Sequence, residues 1–484
     1  MKKTKKHGFC SIKAYFFALF LFSLISCAGA TALAQNAPEP RREQLLNGLQ
    51  ILYLPRPADA NVFLKLRIHS GAAFDMAGKA GTMALLGDAL FPDASTREYF
   101  TDELGGRLEV TTNYDSINIT LSGKAQKFEG IVDLLHNALV NTQLNAETVN
   151  RLRDARLKLI QETGIAPASI ADRAASARLF GDFPYGRPFS GLTETLARID
   201  RADLLLARER FLNSNNATLV IIGGVEERRA MRALRQLLGI WRKSEQIVPA
   251  TFRQPEKPDA RIQIVDLPGA ETAEVRFAAR SLARSDRDYW AATLLALIAH
   301  DRLQASLPTL AKSPFFVRNE AHKLPGAFVF GATVPVASVA DTLAAARNAA
   351  RSFITIPPTA AELERARSEA LALFNKQMEQ TDTLADLWLD RETYKLDSIS
   401  EQANVLKNVT AVEVQGLATR LFRDAAFATV VVGSATQLKP LLSSAGEVEI
   451  FDPSNPQKAA TPSVSAPVSK PVAAPVKKPY QFTN

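Results

Sequence analysis

The strongest constraint on the fold of this chain is that its pattern occurs twice. Ala217-Thr218-Leu219-Val220-Ile221-Ile222-Gly223 returns as Ala428-Thr429-Val430-Val431-Val432-Gly433. Each is an apolar, β-branched run closed by glycine, which reads as a buried strand. Upstream, Arg67-Ile68 lies in a strand pattern that precedes a loop and an apolar helix, and Arg276-Phe277 does the same before Tyr289 to Ile298. Both matches share an offset of roughly 210 residues, the size of a domain and far above the period of a solenoid. Two similar domains are therefore expected, at 41–243 and 260–452, joined by a linker at 244–259 that holds Pro249, Pro255 and Pro258.

Within each half, strands and helices are mixed. Gln50 to Leu54 reads as a short apolar strand. From Val62 to His69 the chain alternates, with Val62, Leu64, Leu66 and Ile68 on one face and Phe63, Lys65, Arg67 and His69 on the other. That is the pattern of a half-buried strand. Gly81 to Phe91 reads as a buried helix, and Arg107–Asn113 with Ser116–Ser122 as a hairpin across Tyr114-Asp115. Phe128, Ile131, Val132, Leu135 and Leu139 share one helical face, and a further helix spans about Ala146 to Glu162. The fold class expected is α+β: two homologous α/β sandwich domains, each a sheet covered by one layer of helices.

The two ends read differently. Lys2, Lys3, Lys5, Lys6 and Lys13 lead into an apolar run from Ala14 to Ile25 and then small residues. This is a secretory signal, 1–34, with an apolar run too short for an ordinary spanning helix. Ala32-Leu33-Ala34 suits ordinary signal peptidase and is preferred because a polar stretch follows at once. Leu24-Ile25-Ser26-Cys27 resembles a bacterial lipobox, and a lipid on Cys27 is the only route to the membrane that this sequence offers. The expected location is the periplasm or cell envelope of a bacterium. Cys10 and Cys27 are the only cysteines, so the domains carry no disulfide and no thiolate metal site. The stretch 453–484, rich in Pro, Ala, Ser and Lys, is expected to be a disordered tail. The net charge of +8 comes from the leader lysines and from Lys458, Lys470, Lys477 and Lys478 of the tail. The remainder is nearly neutral, which removes charge as an argument for nucleic acid as a partner.

Several stretches in order then resemble one family. They are Leu46-Asn47-Gly48-Leu49, Ser70-Gly71-Ala72-Ala73-Phe74-Asp75, Gly78-Lys79-Ala80-Gly81-Thr82 leading to Ala89-Leu90-Phe91, Leu104-Gly105-Gly106, and Phe183-Pro184-Tyr185-Gly186-Arg187-Pro188. The set resembles the pitrilysin/insulinase family of zinc metallopeptidases, the inverzincins, from about Leu45 to Phe451. The resemblance implies an H-x-x-E-H motif on the helix after Gly81-Thr82, with two histidines one turn apart binding zinc, the glutamate acting as general base, and a downstream glutamate as third ligand. Here those positions hold Ala84 and Asp88 for the histidines and Gly87 for the base; Glu162 occupies the third-ligand position. The five histidines, His7, His69, His136, His300 and His322, supply no other pair at ligand spacing. No metal and no catalytic residue is therefore expected in this chain.

The resemblance also implies a substrate strand after Leu104-Gly105-Gly106, where an extended peptide pairs with backbone. Glu109 and Val110 stand there, in place of the family's usual Asn-Ala. In the second half, family members place an Arg and a Tyr against substrate; Pro308 and Phe315 lie near those positions. The reading this supports is the non-catalytic subunit of a heteromeric zinc metallopeptidase that degrades or processes peptides, paired with an active paralogue that keeps H-x-x-E-H and its zinc. The alternative is a stand-alone peptide-binding or scaffold module of the envelope.

Overall fold

Twelve strands make two separate six-stranded sheets in the computed structural model, which describes residues 38–452. The signal peptide expected over 1–34 and the tail expected over 453–484 lie outside the described residues. The first sheet holds β1 (Arg41–Gln44), β2 (Gln50–Pro55), β3 (Asn61–Ile68), β4 (Arg107–Thr112), β5 (Ile117–Lys124) and β6 (Ala217–Gly223), in the order β1-β2-β6-β3-β5-β4. The second holds β7 (Ile262–Asp266), β8 (Thr272–Arg280), β9 (Phe315–Glu320), β10 (Ala327–Pro335), β11 (Ala428–Gly433) and β12 (Val448–Phe451), in the order β12-β7-β11-β8-β10-β9. The duplicated runs are β6 and β11, and every residue of both is buried. Each lies parallel to one neighbour and antiparallel to the other. The copies diverge at one edge: β1 precedes its neighbour in the chain and runs antiparallel to it, whereas β12 comes from the far end of the half and runs parallel. Among the described residues no helix is long and apolar enough to cross a membrane.

Seven helices matter below. They are α1 (Thr82–Leu90), α2 (Phe128–Val140), α3 (Ala146–Thr163), α4 (Pro167–Phe180), α5 (Tyr289–Ser306), α6 (Ala360–Glu379) and α7 (Thr381–Tyr394). On the inner face of the first sheet, Val62, Leu64, Leu66 and Ile68 join Leu85 and Leu86 of α1 and the Phe128, Ile131, Val132 and Leu135 stripe of α2 in one core. The second sheet builds its own core with Leu294, Leu295 and Ile298 of α5.

The outer faces depart from the expected single layer of helices. Lys65 and Arg67 are not solvent-facing; they are only 7 % and 6 % exposed. Helix α7, from the second half, lies across them. Its Asp382, Asp386 and Asp390 recur every four residues and so share one helix face. Lys65 Nζ donates to Asp382 and Asp386, both at 2.7 Å, and Arg67 to Asp386 at 2.9 Å and Asp390 at 2.5 Å. The exchange is mutual. Helix α4, from the first half, packs Ala171 and Ala175 against Val265, Val430 and Val432 of the second sheet, while its Asp172 takes Arg276 Nε at 2.5 Å. Arg67 and Arg276, the duplicated pair in the sequence, thus occupy matching places, each binding an aspartate of the other half. Each sheet is covered on both sides, and β3 is a fully packed strand and not a half-buried one.

Candidate functional site

Helix α1 carries the positions of the expected metal motif, and its start is held by the segments that carried the resemblance. Asp75 accepts from the N–H groups of Gly81 at 2.7 Å and Met83 at 2.8 Å, satisfying donors that a helix start leaves free. Burial pushes its carboxyl up to about 7 in spite of those bonds and of nearby Arg187. Gly81 has φ +100°, and a Cβ there would lie 2.7 Å from Leu196 Cδ2, so glycine is required on both counts. Arg187 donates to the Asp75 carbonyl at 3.1 Å, and Tyr114 OH to the Arg187 carbonyl at 3.0 Å. Tyr185 OH donates to Asp115 at 3.3 Å and accepts from Leu324 N–H. These motif residues are scaffolding for the helix and for the hairpin at Tyr114-Asp115.

Asp115, which the sequence reading passed over, is the busiest carboxylate of that hairpin. It accepts from Lys323 N–H and Tyr394 OH, both at 3.0 Å, and faces His322 Nδ1 at 3.7 Å. Burial opposes its charge, but nearby His322 and the bonds from Lys323 and Tyr394 outweigh it and hold the carboxyl below its ordinary range.

At the motif itself the structure shows a salt bridge. Ala84 and Gly87 are buried and offer no ligand atom. Asp88 is gripped by Arg156 of α3: Nε reaches one carboxylate oxygen and a terminal nitrogen the other, both at 2.8 Å. The same terminal nitrogen lies 3.4 Å from the Ala84 carbonyl. Burial raises the Asp88 carboxyl, opposed by Arg156. Arg156 was not singled out from the sequence. The signal for it was present: Val149, Leu152, Arg156 and Ile160 recur at helical spacing, which puts an arginine on the apolar face of α3.

Glu162, expected to retain the third-ligand position, does not approach Asp88. It points into solvent and lies 3.9 Å from Lys158 on its own helix. It sits six positions past Arg156, about a third of a turn off the face that meets α1. Among the described residues no group of three or more His, Cys, Asp or Glu side chains is placed to hold a metal ion. Zinc needs several nitrogen, sulfur or oxygen donors in a tetrahedral shell. Here the one carboxylate is engaged on both oxygens by a fixed cation, so the residues do not fit the metal.

The strand expected to bind substrate is β4, and it is an edge of its sheet. Asn113 N–H bonds to Ser116, so by the two-residue alternation of antiparallel pairing Leu108, Val110 and Thr112 direct N–H and C=O to the open side. Glu109 is exposed; Val110 is half-buried and packs on the first core. A Cβ on Gly87 would lie 2.8 Å from Thr112 Oγ1, so α1 rests directly on this strand. Phe315, proposed to meet substrate, begins β9, the matching edge of the second sheet, but its ring packs against the second core. The ring is partly buried and lies at the margin of that core. Arg302 is structural too: it binds both oxygens of Glu362 at 2.7 and 2.9 Å and lies over the Phe353 ring.

Comparison with known proteins gives a consistent answer. Residues 51–191 match the family model described as insulinase (peptidase family M16), and residues 198–370 match the model of the peptidase M16 inactive domain. An uncharacterized zinc protease of Mycobacterium leprae is 25% identical over 264 residues, 52% of this chain and 58% of that protein. A probable mitochondrial-processing peptidase subunit beta of Arabidopsis thaliana is 22% identical over 207 residues, 42% of this chain and 39% of that protein. The chain thus spans less than two thirds of the length of these curated relatives. Among solved structures, a peptidase M16 inactive domain from Pseudomonas fluorescens superposes with a TM-score of 0.73 at 17% identity, covering 82% of this chain and 98% of that one.

Proposed function

We propose, for a chain that belongs to the insulinase peptidase family (M16), the role of a non-catalytic subunit in a heteromeric zinc metallopeptidase of the bacterial envelope. The observation that carries this reading is the Asp88–Arg156 pair standing where a metal would be bound, inside a fold otherwise kept whole. A helix that has lost both histidines and the base has neither a Lewis acid nor a group to activate water. The open backbone of β4 needs no particular side chains and is suited to pair with an extended peptide. In the complex, zinc and the general base belong to a paralogue with intact H-x-x-E-H, and this chain lines the peptide's path. That a plant relative is described as a subunit of a processing peptidase and that the family has an inactive-domain model both support the reading.

The test is gentle affinity purification of the mature protein from its native envelope, with co-purifying proteins and zinc quantified. The expected result is a stoichiometric relative carrying H-x-x-E-H and its zinc. Recovery of the chain alone and zinc-free sinks the subunit reading in favour of the stand-alone peptide-binding or scaffold module, for which the same β4 edge would be the binding surface. Recovery alone but zinc-loaded sinks both.

A further inference from the structure

We infer that Arg156 is the chain's own replacement for a metal cation, and that the degenerate motif has become a helix clamp of the kind the second half carries. This rests on the family placement of the motif on α1, and not on whether a catalytic partner exists. Two observations carry it. The first is local. The Arg156 side chain is only 13% exposed, reaches both oxygens of Asp88 and approaches the Ala84 carbonyl. It therefore brings a fixed positive charge to the first and last positions of the old motif and ties α3 to α1. A second cation placed there would meet that charge at short range in a poorly solvated site.

The second observation comes from the other copy. Helix α5 follows β8 as α1 follows β3, and α6 precedes the exchanged helix α7 much as α3 precedes α4. In that half Arg302 of α5 binds Glu362 of α6 through two parallel bonds. The Arg302–Glu362 pair has the same bidentate form with the arginine on the first helix, and an ion pair of Asp301 on α5 with Arg365 on α6 repeats the first half's polarity beside it. Bidentate arginine–carboxylate pairs fix both distance and orientation. Each half thus joins its corresponding pair of helices through an arginine–carboxylate clamp.

The consequence is that the motif residues alone do not restore a metal site; Arg156 must change as well. The test uses the full chain and leaves Gly87 untouched, since a side chain there meets Thr112. Ala84→His/Asp88→His is compared with Ala84→His/Asp88→His/Arg156→Glu, zinc per chain being measured by elemental analysis after desalting and folding checked by circular dichroism. The expected result is one zinc per chain in the triple variant and only a small fraction of that in the double. Equal zinc in the two, or none in a folded triple variant, overturns the inference.

Because histidine at the buried position 84 can itself disturb packing, a second measurement uses only the native pair. Asp88→Asn, Arg156→Gln, their combination, and the exchange Asp88→Arg/Arg156→Asp are compared in thermal melts. A clamp gives a double variant no less stable than the worse single one, and an exchange variant that regains most of the lost midpoint. Losses that simply add, with no recovery on exchange, overturn it.

Discussion

The two sheets are copies of one plan, yet the helices that close their outer faces are held by differently arranged contacts. On the first, Lys65 and Arg67 meet Asp382, Asp386 and Asp390 of α7 in a ladder of ion pairs. On the second, α4 lays small residues on valines, flanked by ion pairs of Asp172 with Arg276 and Arg318 and of Arg178 with Glu449. The fold specifies that a helix from the other half must cover each sheet, and leaves open how it is held. A duplicated gene can therefore keep its architecture while the arrangement of charges at each interface drifts. The difference also has a selective use: ion pairs fix register by direction and partner, whereas alanines on valines allow close approach with little directional preference.

The sharpest way to break this comparison is Arg67→Ala. It takes the arginine from Asp390, leaves Asp386 with Lys65 alone in a largely enclosed contact, and removes the donor to Asn118 Oδ1 as well. The expected loss is about 3 kcal/mol, the low end for a broken buried pair because both aspartates keep some solvent contact. Chemical denaturation measures it, and a loss below about 1 kcal/mol would show that the ladder does not hold α7.

Next in size is a pH effect confined to the ionic side. His69 bonds to Thr393 and Thr218 through its two ring nitrogens. Burial, with Arg67, Lys323 and Lys395 nearby, pushes its pKa down to about 3. The folded state therefore resists a proton that the unfolded chain accepts below about 6.5. Stability from this residue is full above that pH and is lost as pH falls toward 3, with a ceiling of about 1.4 kcal/mol per pH unit for one proton. His69→Gln is expected to flatten that slope in urea melts between pH 7 and pH 5; an unchanged slope would remove His69 from the account. The smallest effect belongs to the apolar side. Ala171→Leu, at a fully buried position against Val430 and Val432, is expected to cost about 1–2 kcal/mol by overpacking. That loss should not change in 1 M salt, where exposed ion pairs are screened; a strong salt dependence would contradict the contrast between the two faces.

Much of the fold was legible because its signals are local. The alternation of β3, the paired glycine-ended strands and the stripe of α2 each lie within one element, and the boundaries read from them agree closely with the structure. The exchange of helices was not legible. Helix α4 reads Pro-Ala-Ser-Ile-Ala-Asp-Arg-Ala-Ala-Ser-Ala-Arg-Leu-Phe, with no stripe of large apolar residues, because alanines are what let it lie close to a sheet. Lys65 and Arg67 looked like a solvent face because their aspartates are more than 300 residues away in the chain. At the site, Ala84, Gly87 and Asp88 could be read directly as positions that offer no imidazole and no glutamate. Glu162 keeps the spacing of a third ligand, but a ligand must also lie on the right face of its helix, and this residue stands on the surface beside Lys158.

The exchanged helices bear on the order in which this protein can be made. A first half that closed on itself would fold as soon as it was synthesised, as N-terminal domains generally do. Here the outer face of the first sheet stays uncovered until the chain has been made past Tyr394, the last residue of α7. Until then Lys65 and Arg67 have no acidic partner and β3 has no lid. Completion of both sheets' outer faces depends on contacts very distant in sequence, which are slow to form. The growing polypeptide consequently carries an uncovered sheet face through most of its synthesis, open to any factor that handles unfinished chains.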